Sequence, residues 1–303
     1  MVVSSKFSSK GQVKSISLPS RSHPTTVRIE QELNAAKTAA AVAASKPSVD
    51  NICSGLLCLA ELYKCMDDLL NMSATRVLVT GEQNKKWVEE LVEESVSLLD
   101  VCCSVRDMVA QMKAHVRDVQ SVLRRRKSEL SNEKSVINYI CFRKKMKKDV
   151  KMLAGCLKQV DNMTSGGSVV VDSNNHHLAA VMKAVIGVSE TTVSVFESLL
   201  LLFSLPNSKP NRWAIVVSKL MHKGIVACED QQEHGIGNEF ESVDDALQSL
   251  CKNGSSMQLE KMQIAKCRLE MLESQLECME IRLECVFRRL IGSRATLLNI
   301  ISL

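Results

Sequence analysis

The sequence predicts an all-α protein, an elongated antiparallel bundle of long heptad-patterned helices, on three observations. Apolar residues recur at alternating steps of three and four along most of the chain, which lines one side of an α-helix. Aromatic residues make up only 3% of the 303 residues, so a core has to be filled by Leu, Val, Ile, Ala, Met and Cys. Five prolines and twelve glycines leave room for long uninterrupted elements. The hydrophobic share of 45% and charged share of 24% are ordinary for a chain that buries a single large core.

Residues 1–24 are expected to form a flexible, basic, Ser-rich tail. Thr25 or Thr26 caps a first helix that runs to about Ala44, and Lys46-Pro47-Ser48 breaks it. Ser48 or Asp50 caps a second helix, whose stripe is Val49, Ile52, Leu56, Leu59, Tyr63, Met66 and Leu70. A turn at Thr80-Gly81 leads to the longest expected element. Its stripe is Val88, Leu91, Ser95, Leu98, Cys102, Val105, Val109, Met112, Val116, Val119 and Leu123. Val92, Val96, Leu99 and Cys103 widen that stripe and predict deeper burial of its first half.

A break near Ser131-Asn132 opens a helix carrying Val136, Tyr139, Met146, Val150, Leu153, Leu157 and Val160, with Arg143 at one position of the stripe. A Gly/Ser/Asn linker follows near 164–176. His177 to Ser204 is strongly apolar; its greasiest run, Val193 to Leu205, is too short to span a bilayer and predicts a buried helix. A turn at Pro206 to Pro210 precedes a helix with Trp213, Val216, Val217 and Leu220. An acidic loop near 229–241 comes next, then a short helix capped by Ser242 and ending near Lys252. Residues 25–303 read as one helical-bundle domain.

The final helix, after Asn253-Gly254, has an unbroken register: Met262, Ala265, Leu269, Leu272, Leu276, Met279, Leu283, Val286 and Leu290. Such a stripe suits either a two-stranded coiled coil or an internal bundle helix. In a parallel homodimer built on it, Lys261 faces Lys266 and Arg282 faces Phe287, pairings that specify no partner. A second stripe, Ile264, Met271, Cys278 and Cys285 with Cys267 and Ile281 beside it, predicts burial on two sides. An internal bundle and a monomer are therefore expected, with a dimer as the alternative.

Twelve cysteines mostly sit within apolar helical patterns and form no CxxC pair, so they read as structural thiols in a reducing compartment. His176 and His177 diverge on a helix, and Cys228 with His234 lacks a second pair of zinc-like spacing. There is no phosphate-cradling loop, nucleophile elbow or HExxH. Neither a cofactor, a metal nor an enzymatic activity is expected.

Two basic clusters stand out against a net charge of +5. Arg124, Arg125, Arg126 and Lys127 form one; Arg143, Lys144, Lys145, Lys147 and Lys148 form the other. If the chain turns near Asn132, they combine into one positive band. A solvated bundle end is the plain reading, and an acidic protein or an anionic membrane surface is the candidate partner. Nucleic acid is disfavoured, because only Tyr139 and Phe142 lie nearby to stack on bases. Ser128 follows Arg125-Arg126-Lys127 and is a candidate phosphorylation site. The expected location is cytoplasmic, peripheral to a membrane if the band binds lipid. The acid-free segment before Glu30 makes a plastid one alternative, and the basic runs make the nucleus another.

Several blocks are specific in combination. Leu18-Pro19-Ser20-Arg21-Ser22-His23-Pro24 is followed by Leu62-Tyr63-Lys64-Cys65-Met66-Asp67-Asp68-Leu69-Leu70 and Lys86-Trp87-Val88-Glu89-Glu90-Leu91. Leu98-Leu99-Asp100-Val101-Cys102, Gln111-Met112-Lys113 and Leu123-Arg124-Arg125-Arg126 continue the series. Phe287-Arg288-Arg289-Leu290-Ile291 and Arg294-Ala295-Thr296-Leu297-Leu298-Asn299-Ile300 close it. From about residue 18 to its end the chain resembles the plant BYPASS-type family. It departs from that pattern at Asn71 to Arg76, where a Leu-Pro-containing segment is usual. The resemblance implies a role in root and shoot development and no known enzymatic activity. A non-enzymatic helical adaptor or regulator acting through unidentified protein partners is the leading expectation. A peripheral membrane or trafficking protein that binds anionic lipid is the alternative.

Overall fold

The structure, a computed structural model, describes residues 23–125, 129–166, 176–204, 238–250 and 258–302. Among them the helices are α1 (Pro24–Ser45), α2 (Val49–Leu70), α3 (Ser73–Val79), α4 (Lys85–Arg125), α5 (Glu129–Gly166), α6 (His176–Ser204), α7 (Glu239–Leu250) and α8 (Gln258–Ile301). A short 3₁₀ turn, Glu82–Asn84, joins α3 to α4. The described residues contain no strand, so the expected all-α bundle is what forms.

Helix starts follow local chemistry. Pro24 takes the first position of α1, where its missing N–H costs nothing, and His23 Nδ1 accepts from the Thr25 backbone N–H at 3.3 Å. His23 thus caps α1 in place of the expected Thr25 or Thr26. Ser48 caps α2 as expected, its Oγ accepting from Asn51 N–H at 3.3 Å. α7 starts earlier than its sequence reads. Asn238 Oδ1 accepts from Glu241 N–H at 2.9 Å, which puts Glu239 and Glu241 in the first helical turn, where the macrodipole favours acids. Ser131 and Asn132 lie inside α5, so the break between α4 and α5 falls before Glu129. The segment around Asn71 to Arg76, where the chain leaves the family pattern, becomes the turn into α3. The N-terminal tail, the Gly/Ser/Asn stretch at 167–175, and the helix and acidic loop expected between Pro206 and Gly237 lie outside the described residues.

Five helices close a ring around one apolar core. α8 lies between α2 and α4, α4 packs on α5, α5 on α6, and α6 returns to α2; α1 covers the groove between α2 and α6, and α7 lies on α8. Successive partners run antiparallel, as α2 and α6 show: Gly55 lies beside Val195, while Tyr63 Oη meets Thr192 Oγ1 at 3.0 Å. Two contacts are parallel. On α2 and α8, Cys53 lies beside Cys278 while Asp67 lies beside Ser293. On α1 and α6, Leu33 lies against Gly187 while Lys37 pairs with Glu190 at 3.5 Å. A ring of five cannot alternate direction throughout, so one contact within it has to be parallel.

The main stripes of α2, α4, α5 and α8 are buried apart from Met262, which is half-buried. The widened part of α4 is not: Val96 is exposed, and Val92, Leu99 and Cys103 are half-buried. Val101 and Met108 take the inner positions instead. The second stripe of α8 also departs from expectation, because Ile264, Cys267, Met271, Cys278, Ile281 and Cys285 all face outward. α8 is a corner of the ring: α2 and α4 cover its inner side, and α7 lies on it only toward its N-terminal end. At 44 residues α8 also exceeds the 41 of α4, and it runs about 66 Å. α6, at 29 residues, is long and apolar enough to cross a membrane by length and composition, although 72% of its most apolar window is buried in the fold. The apolar run is thus longer than Val193 to Leu205, and the buried-core expectation holds for it.

Candidate functional site

Arg143 interrupts the apolar stripe of α5, and the fold surrounds it rather than exposing it. Its side chain is 4% accessible and its partner Asp244, on α7, is 9% accessible. Arg143 Nε and Nη2 donate to Asp244 Oδ2 at 3.3 and 3.2 Å, and Nη1 donates to the Phe203 carbonyl, near the end of α6, at 3.3 Å. The guanidinium stacks 4.8 Å from the Phe240 ring centroid, and Phe240 meets Phe203 edge-on at 5.6 Å. Tyr139 Oη donates to Asp244 Oδ1 at 2.9 Å. Burial, and then the Asp244 charge, push the Tyr139 phenol well above its ordinary pKa. Asn238 Nδ2 closes the joint by donating to the Leu202 carbonyl at 2.8 Å. A buried guanidinium needs this full set of acceptors, and here it ties α5, α6 and α7 together.

The basic positions separate along the molecule. Arg143 is inside. Lys144, Lys145 and Lys148 are exposed on α5, and no ion pair holds them among the described residues. Lys147 is half-buried, and burial and then the nearby Arg143 lower its pKa. With Tyr139, Ile140, Asp244 and Leu247, the lysines at 144 and 147 border a cleft of about 280 Å³. On α4, Arg124 pairs with Glu270 at 3.6 Å and Arg125 is exposed. Arg126, Lys127 and Ser128 lie outside the described residues. The His115 and Phe142 rings, 4.8 Å apart, set the level at which α4 and α5 meet. Arg124 is nine residues to one side of that level and Lys147 five to the other. Arg124 and Lys147 are therefore offset by about 20 Å along the axis. Arg124 and Arg125 thus stand apart from the α5 lysines, because α5 has already begun by Glu129.

A ladder of ion pairs along the α4–α8 contact has no counterpart in the sequence reading. Arg106 pairs with Glu284, and Lys113 with Glu280. Arg117 bridges Glu273 and Glu277, each at 2.6 Å. Hydrogen bonding to Arg117 holds the Glu273 carboxyl below its ordinary range. Near the end of α8, Arg294 Nη1 donates to the Val92 carbonyl at 2.8 Å and to Ser95 Oγ at 3.1 Å. An i to i+7 recurrence of Glu at 270, 277 and 284 was the available signal. Its basic partners are more than a hundred residues away in sequence.

Asp67, on α2 beside α8, is the described carboxyl pushed furthest by burial, up to about 6, while Ser293 and Arg289 pull it the other way. Its ordinary value is 3.8. Between those two values the folded chain retains a proton that the unfolded chain has released. The stability this proton contributes is complete below about pH 4 and is lost as the pH rises through 6. Asp67→Asn is therefore expected to raise stability at pH 7 by about 1 kcal/mol, a modest figure because the residue is only half-buried. The variant also flattens the fall in stability between pH 4 and 6, measured by urea unfolding across that range. A profile identical to wild type contradicts the assignment.

The described cysteines are free thiols. Burial, with Cys278 alongside, pushes Cys53 up to about 12, and burial pushes Cys102 to about 12 as well. These are inert core thiols. Cys141, Cys267, Cys278 and Cys285 are exposed, so the expectation of structural thiols holds for only part of the set. No group of three or more His, Cys, Asp or Glu among the described residues could hold a metal ion.

A ring of long helices whose buried polar groups join one helix to another defines the class, an all-α bundle protein. The chain belongs to the Protein BPS1 family, whose model matches residues 55–300. This is the family to which the sequence blocks pointed; it fits a role in plant development and is not a known enzyme family. The matched span begins within α2 and leaves α1 outside it. No curated protein matches the chain, and no solved structure does.

Proposed function

We propose that this protein is a non-enzymatic helical adaptor or regulator in plant root and shoot development, and that it works through protein contacts. The outward face of α5 supports the reading. Ile137, Ile140 and Met152 are exposed on it, Met152 by 64%, interleaved with Lys144, Lys145 and Lys148. An apolar surface studded with exposed cations suits an acidic, amphipathic partner helix, whose apolar side chains would cover Ile140 and Met152 while its carboxylates meet the lysines.

An affinity pull-down from root and shoot tissue, with the full chain as bait, tests this. A reproducible protein partner is expected, and Lys144→Glu/Lys145→Glu/Lys148→Glu should reduce its recovery at least tenfold (order of magnitude from charge reversal at an interface). Recovering no reproducible partner, or one indifferent to the triple variant, sinks the adaptor reading. The same face supports a second reading, in which the lysines meet anionic headgroups and the apolar side chains enter the bilayer surface. Sedimentation with phosphatidylserine-containing vesicles separates the two. The adaptor leaves the protein in the supernatant, whereas charge-dependent pelleting favours the membrane.

A further inference from the structure

The outer face of α8 is apolar over several turns and mostly open, bordered by α7, where Arg268 donates to the Ser242 carbonyl at 2.6 Å, and by α2, where Cys278 lies beside Cys53. Ile264 is 43% accessible, Met271 58% and Ile281 67%, and Cys267, Cys278 and Cys285 lie on the same side, all exposed. From Ile264 to Cys285 this stripe runs about 33 Å. Contiguous apolar surface of this kind marks a contact site.

We infer that this face pairs in parallel, about a two-fold axis, with α8 of a second copy of the chain. The charges beside the stripe select that occupant. With Ile264, Met271, Cys278 and Cys285 at one core position and Cys267, Ser274, Ile281 and Arg288 at the other, each edge of the stripe carries one sign. Glu270, Glu277 and Glu284 lie along one edge, and Arg268, Arg282 and Arg289 along the other. In a parallel pair each edge meets the opposite edge of its partner, so Glu277 meets Arg282 and Glu284 meets Arg289, with no like-charged contact. An antiparallel pair sets Glu against Glu and Arg against Arg.

The buried stripe of the same helix lacks this sorting, as the Lys261–Lys266 pairing shows. Glu270, Glu277 and Glu284 already pair with Arg124, Arg117 and Arg106 on α4, and Glu284 with Arg288 as well, but the side chains of Glu277 and Arg117 remain 49% and 50% accessible, so the acidic edge is reachable from outside. The ring leaves α8 at a corner, its buried side toward α2 and α4, and so presents the sorted side to a partner.

The test uses the full chain under reducing conditions. Light scattering at micromolar concentration is expected to give twice the 33.5 kDa chain mass. Met271→Glu/Ile281→Glu, with unchanged helical circular dichroism, should return the mass of one chain. Orientation is read from wild type oxidised with copper–phenanthroline, because Cys285 faces its own copy only in a parallel pair. Peptide mass spectrometry should recover Cys285–Cys285 links. A wild-type monomer, a dimer indifferent to the double substitution, or predominant Cys267–Cys285 links between copies overturns the inference.

Discussion

Replacing Arg143 by alanine should destabilise the bundle by about 3–5 kcal/mol, because it leaves the Asp244 carboxylate buried without its counter-charge. The same change strips the Phe203 carbonyl of a donor and removes the cation from the Phe240 ring. Urea unfolding followed by circular dichroism gives the loss as a lower midpoint. Asp244→Ala should cost a similar amount. The double variant should cost less than the sum, since neither charge is then stranded. A loss below about 1 kcal/mol for Arg143→Ala would place the pair among surface ion pairs and contradict its burial. The lysines beside it answer differently: charge reversal at Lys144, Lys145 and Lys148 acts on binding and barely on stability.

Leu276→Ala should cost about 2–5 kcal/mol. Leu276 is wholly inaccessible on the side of α8 that lies between α2 and α4, so the deleted methyl groups leave a cavity walled by rigid helices. Val96→Ala is the matched comparison. Its side chain is exposed on α4, and its truncation should change stability by about 0.5 kcal/mol or less. Measured together by guanidinium unfolding, the two substitutions separate the inner stripe from the outer one. Comparable losses at both sites would mean that the widened stripe of α4 is buried after all.

Much of the fold was legible because helix formation and burial of a stripe are local matters. Val49 to Leu70, Val88 to Leu123, Val136 to Val160 and Ala265 to Leu290 repeat at helical spacing, and any bundle made from them has to put those stripes inside. Ser48 and Pro47 set a helix start by hydrogen bonding and sterics within a few residues. The misreadings share a cause. Val96, Met271 and Ile281 are as apolar as their buried neighbours, and their fate depends on how many helices surround α4 and α8. Arg143 read as a surface cation because Asp244 is remote in sequence. Arg124 and Arg125 stand apart from the α5 lysines because α5 has already begun by Glu129, ahead of Ser131-Asn132, which shifts its register against α4.

The sequence by itself determined that this chain folds as long amphipathic helices, which stripe each of them buries, and which family it belongs to. Periodicity and capping act within a few turns, and the family blocks are contiguous. The tertiary structure alone decided which second faces stay open, which cations are neutralised, and which helices run parallel. Those outcomes depend on closing the ring, which fixes the side of each helix that its neighbours cover and the side that faces water. The outer stripe of α8 is the sharpest case. Its residues read as core, the ring leaves them outside, and the sorted charges along their edges then point to a second copy.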